Sequence, residues 1–150
     1  MDEPLEVHMD DAAMRFLPHR EPAHLIRRAM DSTTRQLRCL ALFPTENAMV
    51  RDGEVPTYLT VEAAAQAAAT HLALLAINDG QSISHFEGYL TGFKRMKITT
   101  PSVPANTELQ VLVKLRGGAR GMYKYLFEIE YDGSVVLTGE LTTFVQPVEK

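Results

Sequence analysis

The sequence contains no tryptophan and a single cysteine, Cys39, and only 7% of its residues are aromatic. One thiol excludes an internal disulfide and a multi-cysteine metal site, fits a reducing compartment, and reads as a small core residue. The N-terminus, MDEPLEVHMDDAA, is acidic and lacks the basic region and apolar run of a secretory signal, so the expected location is cytoplasmic. No integral membrane segment is expected, because Thr70 and His71 interrupt the longest apolar stretch before the roughly 18 continuous apolar residues a span needs. Excess positive charge is missing too. The formal charge of −4 and pI near 5.7 give no global reason to expect nucleic acid. No compact His/Cys/Asp cluster has ligand spacing, so no metal is expected, and RGGARG (116–121) lacks the Lys-Ser/Thr ending of a phosphate loop. Internal repeats and low-complexity linkers are absent, and 150 residues with 45% hydrophobic content imply one globular domain.

What is present is order. DDAAMRF (10–16) predicts a short helix ahead of LPHREP (17–22), whose two prolines punctuate the backbone. Residues 23–43 read as one helical segment or as two strands around Asp31 to Thr34, and the β-rich second half of the chain favours strands. PTENAMVRDGEVPT (44–57) reads as a long connection. VPTYLTVEAAAQAAATHLALLA (55–76) then predicts a helix, capped by Thr57 or Thr60 and stopped at INDG (77–80), with apolar residues on almost every face. Four late segments alternate with period two: EGYLTGFKRMKI, TELQVLVKLRG, MYKYLFEIEYDG and VVLTGELTTFV, separated by turns at SVPANT, RGGARG and YDGS. The implied architecture is α+β, an antiparallel sheet wrapped around a long central helix.

That helix carries Glu62 and Gln66 one turn apart, on a shared face continued by Ala69 or Thr70. Burying a carboxylate costs several kcal/mol in order of magnitude unless it is paired, hydrogen-bonded or protonated. Two readings stand: Glu62 exchanges protons in a narrow space walled by Ala63, Ala64, Ala65, Ala67 and Ala68, or it caps exposed helix N–H groups. Acid-base work needs a second polar group. His71, nine residues on, is half a turn off the Glu62 face and reads as a packing or interface residue. His24 is surface or sheet-facing, His8 lies in the N-terminal segment, and His85 enters the first late strand. His19, between Pro18 and Arg20, is the best-fixed histidine, for catalysis or for anchoring the N-terminal segment.

Together LPHREP, VPTYLTVEAAAQAAA (55–69) and GYLTGFKRMKITTPSVPANTELQVLVKL (88–115) resemble the hot-dog-fold 3-hydroxyacyl-acyl-carrier-protein dehydratases, and among them the divergent branch associated with aryl polyene biosynthesis. The resemblance spans residues 17–145. It implies a single hot-dog domain over 17–150 behind an N-terminal extension over 1–16. Glu62 matches the family's helical acid, Gln66 the glutamine that follows it, and His19 the histidine of a Leu-Pro-His-Arg segment. Counted back from Pro56, Ala48 stands where the usual catalytic histidine would be, so the common dyad does not transfer intact. On this resemblance His19 abstracts the α-proton beside the thioester and Glu62, with Gln66, protonates or orients the departing β-hydroxyl.

The resemblance also implies an acyl carrier protein partner delivering substrate on its phosphopantetheine arm, no bound cofactor, a homodimer with sites near the interface, and a related synthase or dehydratase as a further partner. Val55, Tyr58, Leu59, Phe86, Tyr89, Leu90 and Phe93 are candidates for the acyl tunnel, each also suited to ordinary core. Lys94, Arg95, Lys97 and Arg120, with Lys114, Arg116 and Lys124, form a locally basic half that either meets an acidic carrier or solvates strand faces. Two other functions fit the same residues. A thioesterase would use Glu62 to activate water, and a noncatalytic acyl-binding subunit would explain Ala48; the product distinguishes them.

Overall fold

The computed structural model describes residues 2–5, 23–80 and 83–149, with backbone alone over 83–91 and 145–149. The expected helix at 10–16, His8 and the LPHREP segment with His19 lie outside the described residues. In chain order the elements are β1 (Ile26–Ser32), β2 (Gln36–Ala41), β3 (Glu54–Pro56), a 3-10 turn (Thr57–Thr60), helix α1 (Val61–Asn78), β4 (Ile83–Ile98), β5 (Ser102–Pro104), β6 (Leu109–Ala119), β7 (Met122–Tyr131) and β8 (Ser134–Glu149). Six strands form one antiparallel sheet in the order β1-β2-β6-β7-β8-β4, and β3 pairs with β5 separately. The sheet wraps α1, which packs against β1, β2, β4, β6, β7 and β8. This is the hot-dog arrangement.

The ambiguous segment 23–43 is a pair of strands. Its turn is closed by Thr33, whose Oγ1 accepts from the N–H groups of Arg35 and Gln36 at 3.2 and 3.1 Å, while Thr33 N–H donates to Gln36 O at 2.8 Å. A threonine that binds its own neighbours' backbone competes with helix continuation. Helix-facing residues alternate along the strands: Leu37, Cys39 and Ala41 on β2, Val111 and Val113 on β6, Tyr125, Phe127 and Ile129 on β7, Leu137 and Leu141 on β8. On α1, Ala63, Ala64, Ala67 and Ala68 are fully buried, so their small side chains let the sheet approach closely. The run Thr57–Asn78 has the length and apolarity of a membrane span, and 67% of its most apolar window is buried inside this domain. Enclosure by the sheet accounts for that apolarity.

Two expectations are corrected. The stretches 44–57 and SVPANT contain β3 and β5, strands of three residues each, too short to show alternation and flanked by the prolines that suggested turns. Neither Thr57 nor Thr60 caps α1 through its side chain; the 3-10 turn precedes the helix instead, and Thr60 Oγ1 donates back to Thr57 O at 2.6 Å.

His71 is a packing residue, as expected, with no exposed surface. Its Nε2 lies 2.8 Å from the carbonyl of Thr33, which only accepts, so Nε2 carries the proton and Nδ1 accepts from the Tyr125 hydroxyl at 2.8 Å. One imidazole thereby ties α1 to β7 and to the β1–β2 turn. Burial lowers its pKa from the usual 6.5, with the Thr33 carbonyl acting weakly the other way. Replacing Tyr125 by Phe strands Nδ1 in the core and is expected to cost about 1–3 kcal/mol in urea unfolding. Because the unfolded chain binds a proton at this histidine below about pH 6.5 and the folded chain does not, stability is complete above that pH and declines as pH falls through it toward the folded value. His71→Gln is expected to remove that part of the decline; a variant with the same slope as wild type contradicts the assignment.

Candidate functional site at the start of the central helix

Of the residues singled out by the sequence, Glu62 and Gln66 stand together where α1 begins. Gln66 is 1% exposed, while Glu62, one turn earlier, is half-buried. The expectation of a buried carboxylate is therefore only half met: the amide is the enclosed member of the pair. Gln66 Nε2 lies 3.4 Å from Glu62 Oε1, so the two share a face, and Thr70 Oγ1 continues it by donating to Gln66 O at 2.8 Å. Gln66 also reaches across to the strand entering β1, accepting from Leu25 N–H and donating to Ala23 O, both at 2.8 Å. His24 lies between those two residues and is 3% exposed, which leaves the sheet-facing one of its two readings. Sequence inspection offered no sign of this contact, since 41 and 43 residues separate the partners.

The loop before the helix is ordered around Asn47, whose Oδ1 accepts from Met49 N–H at 2.8 Å. Ala48 is exposed in it, and Arg51 Nη1 donates to its carbonyl at 2.7 Å. The β3–β5 ladder then fixes the approach to Glu62: Val55 pairs with Val103, Ser102 Oγ donates to Glu54 Oε1 at 2.8 Å, and Thr57 N–H donates to Pro101 O at 2.9 Å. The connection from β4 into β5 is thus tied to the turn that leads into the helix.

Of the tunnel candidates, Val55 is fully buried and Leu59 packs partly against the core, whereas Tyr58 is 54% and Phe93 37% exposed in the protomer. The side chains of Phe86, Tyr89 and Leu90 lie outside the described residues. Among the basic candidates, Lys94, Arg95 and Lys97 are exposed together on β4. A bulge puts Arg95 and Met96 opposite the single residue Gly139, between the pairs Lys94↔Glu140 and Lys97↔Thr138, with Arg95 at φ 53°. Regular alternation in KRMK would separate the cations between faces. The bulge instead sends Met96 toward the core and leaves Lys94, Arg95 and Lys97 outside, where Arg95 Nη1 meets Glu140 Oε2 at 3.2 Å. Arg120 sits apart, in the β6–β7 turn. A cleft of about 250 Å³ on the outer face of the sheet is lined by Arg95, Leu112, Lys114, Leu126, Glu128 and Glu140, and does not include Glu62. Its outward-pointing residues alternate with those that face α1, so it lies across the sheet from the carboxylate.

Among the described residues no group of three His, Cys, Asp or Glu side chains is placed to hold a metal ion. Cys39 is buried against α1, and burial pushes its thiol up to about 12, so it is no nucleophile.

A family model described as ApeP-like, ApeP dehydratase, matches residues 12–150. A 3-hydroxyacyl-[acyl-carrier-protein] dehydratase, FabZ, of Polynucleobacter asymbioticus is 26% identical in an alignment of 139 residues that covers 89% of each chain. Among solved structures, the dehydratase heterocomplex ApeI:P from Xenorhabdus doucetiae superposes with a TM-score of 0.77 at 20% identity, covering 88% of this chain and 89% of that one. A mutant thioesterase from Pseudomonas aeruginosa gives a TM-score of 0.57 at 12% identity over 81% of each chain, a likeness of fold.

The site residues leave the thiol idle, and this can be read directly. At pH 8, native chain is expected to leave a disulfide reagent such as DTNB unreacted over minutes and to release one equivalent of chromophore once denaturant is added. Fast stoichiometric labelling of the native chain would contradict a buried, protonated Cys39.

Proposed function

The chain belongs to the ApeP-like dehydratase family, and from that membership we propose that it converts a 3-hydroxyacyl thioester on acyl carrier protein to the trans-2-enoyl thioester, in fatty-acid-like or aryl polyene biosynthesis. The observation that carries the proposal is Glu62, half-buried at the start of an otherwise enclosed helix and linked through Gln66 to the strand that enters β1. Dehydration breaks the Cα–H and Cβ–O bonds and forms the Cα=Cβ bond, with water as the leaving molecule. A base takes the α-proton, which the thioester carbonyl acidifies, and an acid protonates the departing hydroxyl. Glu62 supplies the acid. His19 supplies the base; four residue steps of chain, about 14 Å at full extension, lie between it and Ala23, where Gln66 holds the backbone.

Substrate delivery fits the same end of the molecule. Thr57 N–H to Pro101 O joins the turn before Glu62 to the segment following Lys94, Arg95 and Lys97, and those cations are the surface on which an acidic carrier would dock. Exposed Tyr58 and Ile98, 54% and 46% accessible, suit the apolar mouth through which a pantetheine arm enters. β4 closes one edge of the sheet with sixteen residues, and a second copy pairing there would extend it and cover that edge.

A second reading is favoured by Ala48: the residue at the usual histidine position is an exposed alanine in an ordered loop. On that reading the chain binds acyl thioesters as a noncatalytic subunit of a dehydratase assembly. Mass-spectrometric time courses with 3-hydroxyacyl carrier thioesters of short, long and aryl type decide between them. Loss of one water from the acyl group is expected, reduced at least about 10²-fold in folded Glu62→Gln and in folded His19→Ala. Binding without any product supports the subunit, and release of free acid supports a thioesterase.

A further inference from the structure

A helix has no free backbone donors or acceptors along its middle, so an extended segment can pair with it only through side chains. A primary amide is suited to that task, because it presents a C=O and an N–H side by side as the edge of a peptide does. Gln66 uses both on the strand entering β1. Its Oε1 accepts from Leu25 N–H and its Nε2 donates to Ala23 O, each at 2.8 Å, the pattern by which one residue of a parallel ladder brackets its partner. The same nitrogen lies 3.4 Å from Glu62 Oε1. An amide nitrogen has two hydrogens. Both are taken, which leaves Gln66 no donor for a substrate.

The geometry points to Gln66 as a positioning residue: it clasps the peptide groups on either side of His24 and steadies the Glu62 carboxylate from the same nitrogen, so that strand and acid stand in one fixed relation. The catalytic part of this inference rests on the dehydratase reading; the clasp itself does not. Leu25 is fully buried and Gln66 nearly so, which keeps water from substituting for the side chain at the Leu25 N–H, while the bond to Ala23 O is part-buried. A carboxyl in place of the amide would behave differently in its two states. Protonated, it offers an O–H to Ala23 O and a C=O to Leu25 N–H and restores both clasping bonds. Ionised, it has only acceptors and sets a second negative charge against Glu62 and the Ala23 carbonyl.

The test compares wild type, the near-isosteric Q66M and Q66E, reading kcat and KM against pH with a 3-hydroxyacyl carrier thioester, alongside amide hydrogen exchange at Leu25. Q66M is expected to lower kcat about 10²-fold with KM little changed, the scale of loss that slight misplacement of a reacting group produces. The ratio of Q66E to wild-type kcat is expected to rise as pH falls, and Leu25 protection in Q66E to rise with it. A residue serving stability alone would lower activity only in proportion to the unfolded fraction and would give a ratio that does not vary with pH in folded protein. Folded Q66M with wild-type kcat, or a flat Q66E ratio, overturns the inference while wild-type turnover leaves the dehydratase reading standing. Absent turnover in wild type overturns that reading and the catalytic part with it, and unchanged Leu25 exchange in Q66M then overturns the clasp. Should Q66M fail to fold, Q66E at its acid and neutral limits carries the same comparison.

Discussion

An eighteen-residue helix without a polar face has to be enclosed, and the fold is the means of enclosing α1. Five of the six strands of the main sheet present their helix-facing alternates to it in side chains fully described, and the sixth, β4, completes the wrap. Alanines at 63, 64, 67 and 68 set how near the sheet can come. At roughly 25 cal/mol per Å² of apolar surface removed from water, burial of this helix and the strand faces over it is the dominant favourable contribution, and each polar atom carried inside must then find a partner within the protein.

The polar residues of α1 show how that requirement is met. Gln66, Thr70 and His71 are all buried, and each is bonded: Gln66 to the strand entering β1, Thr70 to the helix carbonyl one turn back, His71 to Tyr125 and Thr33. The four bonds of Gln66 and His71 leave the helix and pin distant chain segments to it. Glu62 differs in being half-buried, at the end where the enclosure opens. On the proposed dehydratase reading, a substrate carried on a tethered arm would enter there from solvent. The half-exposed Ala65 and Ala69 lie on the same side of α1 as Glu62, three and seven residues on, so the opening continues along a stripe of small side chains.

Much of this was legible in the amino-acid order. The central helix declared itself by apolar residues on every face, the late strands by alternation, and the Glu62–Gln66 pairing by helical spacing. β3 and β5 were hidden because three residues cannot display a period and their prolines mimic turns. The β4 bulge was hidden for a different reason: KRMK alternates badly under any regular register, and only the pairing with Glu140 and Thr138 shows that Met96 is the inward member. The burial of His24 and the clasp by Gln66 depend on contacts between segments more than forty residues apart, for which local pattern carries no signal. Ala48 was legible only through the resemblance, as a departure from the usual dyad; the structure shows it exposed in the loop ordered around Asn47.

The central claim is that water is removed from, and added across, the Cα–Cβ bond of a carrier-bound acyl thioester at the start of α1. Elimination and hydration share a transition state, so the reverse direction tests it most directly. A trans-2-enoyl carrier thioester incubated with the protein in D2O should gain one water with one non-exchangeable deuterium at the α-carbon, the thioester remaining intact, and Glu62→Gln should abolish the gain. Free acid with a bare carrier thiol, or an enoyl group that binds and returns without deuterium, would contradict the account.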